Sequence, residues 1–252
     1  MNWMSYKKDY EIGLEDIGKG NLATNIAILK MLEEVAEQNS SEVGLGIENM
    51  DDTKLAWLLL DWKFEIIKRP KYREKISIET WSRKLERCYG YRDFEVYDDK
   101  KELIARGSSK WVVIDIERGK PVRLEEKYAM KYAKYDKGYS VFEDEIEKME
   151  EIPETDLIYI RNYEVQRRDI DVNKHMHNIS YLELAYEVLP YDIYTEDTFN
   201  NVRIAYKKEI KYGDNVKCYY SNKNNKHIIT IKTNEIDSEP TSQKTNAIIE
   251  LY

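Results

Sequence analysis

The chain has 252 residues, 42% of them apolar and 35% charged, with a formal net charge of −8. That length allows one large domain or two of ordinary size, with enough apolar residues for a packed core. The 21 tyrosines against 10 glycines exclude low-complexity disorder, and the acidic balance argues against a general nucleic-acid binder.

Tyr10 to Ile12 reads as the start of a strand. In Gly18 to Gln38, Ile28, Leu32, Val35 and Ala36 recur at helical spacing, and Glu33, Glu34 and Glu37 fill the other face. Gly44 and Gly46 break that pattern. Leu55 to Ile67 is a strand region, and Pro70 marks a turn. Ile76 to Trp81 and Tyr91 to Tyr97 alternate as strands, with a hairpin turn at Asp98 to Lys101. Leu103 to Ile116 is a further strand region. Residues 125–156 are dense in Lys, Glu and Asp without a steady period, and are expected to form a solvated connector with one or two helical turns.

The order then repeats. Tyr159 to Gln166 reads as a strand, Ile179 to Leu189 as an amphipathic helix and Val202 to Ile210 as a strand region. A turn at Gly213 and Asp214 follows. Val216 to Tyr220 and His227 to Lys232 form a hairpin, and Ala247 to Leu251 is a closing strand. In this reading Ala27–Glu37 parallels Ile179–Leu189, and Trp62–Ile66 parallels Tyr206–Ile210. Two copies of one helix with an antiparallel sheet give each copy an apolar face to bury.

Cys88 and Cys218 lie far apart, with neither CxxC nor metal-ligand spacing, and are expected as free thiols in a reducing compartment. The opening stretch MNWMSYKKDYEIG has no apolar core of a signal peptide, and the longest apolar run, Leu55 to Leu60, is too short for a bilayer. A cytoplasmic protein with no membrane span is expected.

The chemistry is concentrated between Arg167 and Pro190. Asp169, Asp171, Asn173, His175, His177 and Asn178 crowd a polar stretch that feeds into the second helix, with His177 or Asn178 at the cap and Pro190 at the end. Unsatisfied N–H groups at a helix start can hold a carbonyl oxygen as it becomes negative. An acid, an amide and an imidazole at positions 171, 173 and 175 share one side only if the segment is extended. Taken singly, each Asp here is equally suited to capping or loop hydrogen bonding, and a lone His to a structural role. A metal site around His175 and His177 lacks a supporting ligand set, so no metal is expected.

The run DIDVNKHMHNISY, Asp169 to Tyr181, resembles the signature of the acyl-acyl carrier protein (acyl-ACP) thioesterases, whose plant members read roughly D-x-D-x-N-x-H-V-N-N-x-x-Y. The resemblance implies an α+β fold, a tandem double hot-dog in which each antiparallel sheet wraps around a central helix. It implies an N-terminal hot-dog over 1–124 that sets acyl-chain specificity, a charged linker over 125–156 and a catalytic C-terminal hot-dog over 157–252.

Carried over by position, Asp171, Asn173, His175 and Glu209 match the family's catalytic groups. Ile210 stands where the family has a Cys, which argues against a cysteine nucleophile, and His177 replaces the first Asn of the Asn-Asn pair. In this scheme Asp171 activates water or attacks directly. His175 polarises the carbonyl or protonates the thiolate, Asn173 orients, and Glu209 holds His175 or the water.

The implied reaction is hydrolysis of fatty acyl-ACP to free fatty acid and ACP, with no cofactor. The implied partner is the acidic carrier protein, and the chain would be a monomer or homodimer that binds no nucleic acid. Basic clusters at Lys68, Arg69, Lys71 and Arg73, and at Arg203, Lys207, Lys208 and Lys211, are candidate docking surfaces. Competing readings are an acyl-CoA thioesterase, a 3-hydroxyacyl thioester dehydratase and a non-catalytic acyl-binding hot-dog module.

Overall fold

The structure, a computed structural model, describes residues 4–196, 198–234 and 243–252. The chain divides into two compact units, the first running to Ile146 and the second from Glu147 to Tyr252. No helix among the described residues is long and apolar enough to cross a membrane.

The first unit contains β1 (Tyr6–Glu11), α1 (Asn25–Val43), α2 (Met50–Thr53), β2 (Leu55–Ile66), β3 (Lys75–Glu86), β4 (Tyr89–Asp98), β5 (Leu103–Asp115), the two-residue β6 (Lys120–Pro121) and α3 (Glu126–Tyr132). Its strands pair antiparallel in the order β1-β3-β4-β5-β2, with β6 beside β5. The second unit contains β7 (Ile158–Glu164), α4 (Asn178–Val188), α5 (Tyr191–Glu196), β8 (Asn201–Tyr206), β9 (Asn215–Lys223), β10 (Lys226–Asn234) and β11 (Gln243–Leu251). Its antiparallel order is β7-β9-β10-β11-β8, the same path in the second copy. Each unit is therefore a hot-dog, an antiparallel sheet with one central helix, as expected.

Helix α1 begins later than its periodicity suggests. Gly20 and Asn21 take left-handed φ values of 69° and 59°, which makes residues 18–23 a turn. Thr24 Oγ1 then caps the helix by accepting the Ala27 N–H at 3.1 Å. The helix runs on to Val43 and stops at Gly44, whose φ of 85° suits a residue without Cβ. Its inner face (Ile28, Leu32, Val35) is buried, as are Trp62, Phe64, Ile78 and Phe94 on the sheet. Each such side chain contributes about 1.5–3 kcal/mol of transfer free energy. Of the tryptophans, Trp62 and Trp81 are core, and Trp57 and Trp111 are half-buried. In the second unit Ile179, Leu182 and Val188 of α4 are buried, as are Ile204, Val216, Ile229, Ile231 and Ile249 on the sheet.

The stretch expected as a charged connector is shared between the two units. Tyr128 and Tyr132 of α3 pack with Val43, Leu45 and Val113, and Phe142 packs with Trp81. Beyond the division, Met149 packs on Ala205, Ile228 and Ile248. The backbone carbonyl of Glu147 accepts from Arg203 at 2.6 Å, and Glu154 pairs with the buried Lys232. Sparse aromatics hold this stretch down, a signal that periodicity does not register.

Candidate active site

The polar loop of the second unit is a turn and not an extended segment. Asp171 N–H donates to the His175 carbonyl at 2.8 Å, and Lys174 N–H to the Asp171 carbonyl at 3.1 Å. Lys174 adopts a left-handed φ of 66° to close it. The Asp171 carboxylate supports the turn from within, since Oδ1 accepts the N–H groups of Asn173 (2.8 Å) and His175 (3.1 Å). Among the described residues no hydrogen bond reaches its Oδ2 or the Asn173 side-chain amide. Both residues are half-buried.

Glu209 reaches this loop from beyond the end of β8, which stops at Tyr206, so it sits in the irregular segment after the strand and not on the expected strand. Its Oε2 lies 3.1 Å from His175 Nε2. The approach is set by backbone: His175 bridges Lys211, and Met176 N–H donates to the Ile210 carbonyl at 2.8 Å. Four expected site residues thus occupy one loop pair. Asp171, Asn173 and His175 share the turn, and Glu209 faces His175.

Asp169 has a different role. It is buried, and its Oδ2 accepts the Tyr163 hydroxyl (2.6 Å) and the Gln166 N–H (2.7 Å). His177 is the cap of α4. Its Nδ1 accepts the Ile179 N–H at 3.2 Å, and its carbonyl accepts the Ser180 N–H at 2.9 Å. Two of the helix-start donors expected to face a substrate carbonyl are therefore already engaged.

The first unit contains the same loop with the chemistry absent. Gly18 N–H donates to the Leu22 carbonyl (2.9 Å), Asn21 N–H to Gly18 (3.1 Å), Ala23 N–H to Pro70 (2.9 Å) and Thr24 N–H to Asp16 (2.9 Å). These match the bonds of Asp171, Lys174, Met176 and His177. Leu22 bridges Lys71 as His175 bridges Lys211. Asp16 Oδ2 accepts the Gly13 N–H at 2.8 Å as Asp169 accepts from Gln166.

This backbone register corrects the repeat read from sequence. Ile66 corresponds to Tyr206 and Pro70 to Ile210, so the shared Glu-Ile of 65–66 and 209–210 is coincidental. The helix pairing also shifts by one residue, to Asn25 with Asn178. Within this frame Asp169 has a counterpart in Asp16. Asp171, Asn173, His175 and Glu209 are replaced by Gly18, Gly20, Leu22 and Arg69. What both copies keep is loop architecture, and what only the second has is an acid, an amide and an imidazole with its carboxylate.

Both cysteines are free, and burial pushes the Cys218 thiol up to about 12. Among the described residues no group of three or more His, Cys, Asp or Glu side chains is gathered closely enough to hold a metal ion. The basic clusters are partly consumed internally. Arg69 donates to the Ala23 carbonyl and to Asn25, Lys68 pairs with Asp98, and Lys207 pairs with Glu151. Lys174, Lys208 and Lys211 remain exposed around the loop.

The sequence matches the acyl-ACP thioesterase N-terminal domain over residues 4–132 and the acyl-ACP thioesterase C-terminal domain over residues 153–251. It is 22% identical over 253 residues to the chloroplastic oleoyl-acyl carrier protein thioesterase 2 of Arabidopsis thaliana, covering 95% of this chain and 69% of that one. Across three oleoyl enzymes of this kind the chain spans 61% to 69% of their length. The fold is similar to an acyl-ACP thioesterase from Bacteroides thetaiotaomicron, with a TM-score of 0.81, 22% identity and 97% and 96% of the two chains covered. It is likewise similar to the 12:0-ACP thioesterase of Umbellularia californica, with a TM-score of 0.85, 15% identity and 100% and 97% covered.

Proposed function

The chain belongs to the acyl-ACP thioesterase family, and on that premise we propose that it hydrolyses fatty acyl-ACP, releasing the fatty acid and the carrier thiol. The observation that carries this reading is the 3.1 Å contact of His175 Nε2 with Glu209 Oε2 beside the Asp171 turn, in the one loop copy that has these groups. In this mechanism the unbonded oxygen of Asp171 takes a proton from a water molecule, which attacks the thioester carbonyl. With Nε2 directed at Glu209, His175 presents Nδ1 to the substrate and, when protonated, delivers a proton to the departing thiolate. Asn173 donates through its amide to the water or to the carbonyl oxygen. Water is consumed, the C–S bond breaks and a C–O bond forms, with no redox partner required.

The exposed Lys174, Lys208 and Lys211 supply positive charge where an acidic carrier would dock. An acyl-CoA ester presents the same reacting group on a smaller anionic carrier. Thiol release from matched acyl-ACP and acyl-CoA panels, with wild type and Asp171→Asn side by side, separates the readings. Turnover on acyl-ACP that collapses in the variant supports the proposal. Turnover on CoA esters alone moves the carrier, and no turnover by folded protein removes the hydrolase reading in favour of acyl binding.

A further inference from the structure

Beyond β8 the backbone of residues 207–211 is held at both ends. At the far end Met176 N–H donates to the Ile210 carbonyl at 2.8 Å, and His175 bridges Lys211. At the near end the N–H groups of Lys207 and Lys208 both donate to the Asn246 carbonyl, at 2.8 and 3.2 Å. Asn246 is the extra residue of a β-bulge in β11, where Ala247 stands opposite Ile231 but Thr245 stands opposite Lys232. Its side chain is buried and turns to the same segment, with Nδ2 donating to the Lys208 carbonyl at 3.3 Å. That carbonyl and the Glu209 N–H belong to one planar peptide. The Asn246 amide therefore grips the peptide plane from which Glu209 departs toward His175.

The first unit repeats the backbone of this device without the amide. Ile104 is the extra residue of the equivalent bulge in β5, between Ala105 opposite Val96 and Leu103 opposite Tyr97. Its carbonyl accepts the N–H groups of Ile67 and Lys68 at 2.8 and 3.0 Å. The Ile104 side chain is buried, so the bulge and both of its bonds form with an apolar group in the amide's place. The residue that follows Lys68, Arg69, anchors its own side chain on the Ala23 carbonyl and on Asn25. Glu209 makes its side-chain contact with His175 and has no such anchor of its own among the described residues. Asn246 Oδ1 is buried with no hydrogen-bond partner among the described residues, a desolvation cost that an apolar side chain avoids. The amide is thus dispensable for the fold of the bulge and appears in the copy that has the His175–Glu209 pair.

We propose that Asn246 is a positioning residue, whose amide holds the Lys208–Glu209 peptide and thereby sets the Glu209 carboxylate against His175. The proposal rests on the thioesterase reading for its kinetic consequence and on the structure alone for its geometric one. Asn246→Ile installs the residue that the first unit has in this place, and Asn246→Leu removes the same donor without branching at Cβ. The expected result for each is a fall of about tenfold in kcat on acyl-ACP, with KM unchanged and the thermal midpoint unchanged or higher. A small misplacement of a reacting group costs rate and not binding.

In a Glu209→Ala background neither substitution lowers kcat further. The ring-nitrogen resonances of His175, readily assigned in a chain with 3 histidines, move in Asn246→Leu toward their positions in Glu209→Ala. Unchanged kcat from an active wild type, or an unmoved His175 resonance, overturns the proposal, as does a tenfold loss repeated in full in the Glu209→Ala background. A thermal midpoint lowered in both Asn246 variants makes the amide a structural group of the bulge and overturns it too. If wild type turns over no thioester, the functional reading fails, and the His175 resonance still decides whether Asn246 positions Glu209.

Discussion

Asp169 and Asp171 stand two residues apart in one loop, and the same substitution at each should have opposite consequences. Asp169 Oδ2 holds the Tyr163 hydroxyl at 2.6 Å and the Gln166 N–H at 2.7 Å. An amide oxygen in that place keeps both bonds but removes their charge, and charge-assisted bonds are roughly twice as strong as neutral ones. Asp169→Asn therefore loses about 1 kcal/mol per bond, or about 2 kcal/mol in all. In a unit of this size that lowers the thermal midpoint by roughly 5–10 °C, with turnover within about threefold of wild type.

Asp171→Asn also keeps an oxygen for the Asn173 and His175 N–H groups. Water reaches this half-buried turn, so its stability falls by about 1 kcal/mol or less. Its rate falls by about 10² to 10⁴, the range for loss of a general base. Differential scanning calorimetry and acyl-ACP turnover on both variants decide the matter. Loss of turnover in Asp169→Asn at an unchanged midpoint would refute the assignment made from the duplicated loop, as would an active Asp171→Asn that melts early.

Burial moves the Cys218 thiol from 9.0 to about 12, so its neutral form is favoured in the native state. A thiol reagent at pH 8 should label at most Cys88 in native protein and both cysteines after unfolding. The folded value lies above the unfolded one. Its stabilising contribution is thus complete below pH 9 and is lost as pH rises toward 12, which alkaline unfolding of Cys218→Ala against wild type would measure. Gly46 packs where a Cβ would come within 2.8 Å of the Ser41 Cα and 2.9 Å of Glu37 Oε1. Gly46→Ala should cost about 1–3 kcal/mol in urea unfolding through the shift it forces on the end of α1.

Much of this protein is legible without coordinates because its decisive signals are local. The apolar repeat of Ile28, Leu32 and Val35 reports a helix from side-chain spacing alone, and the alternation in Ile76–Trp81 reports a strand. The candidate site is legible for the same reason, since Asp171, Asn173 and His175 fall in one short polar run. Glu209 was reached through resemblance, because no periodicity links two segments that meet only in space.

By itself the sequence determined the element types, the duplication, the family and the residue chemistry of the second loop. Tertiary structure alone decided the register of that duplication, the closed form of the turn and the different hydrogen-bond partners of Asp169 and Asp171. The physical reason is that spacing constrains only which side chains share a face. Which oxygen accepts which hydrogen depends on backbone brought in from Pro70 or Ile210, far along the chain.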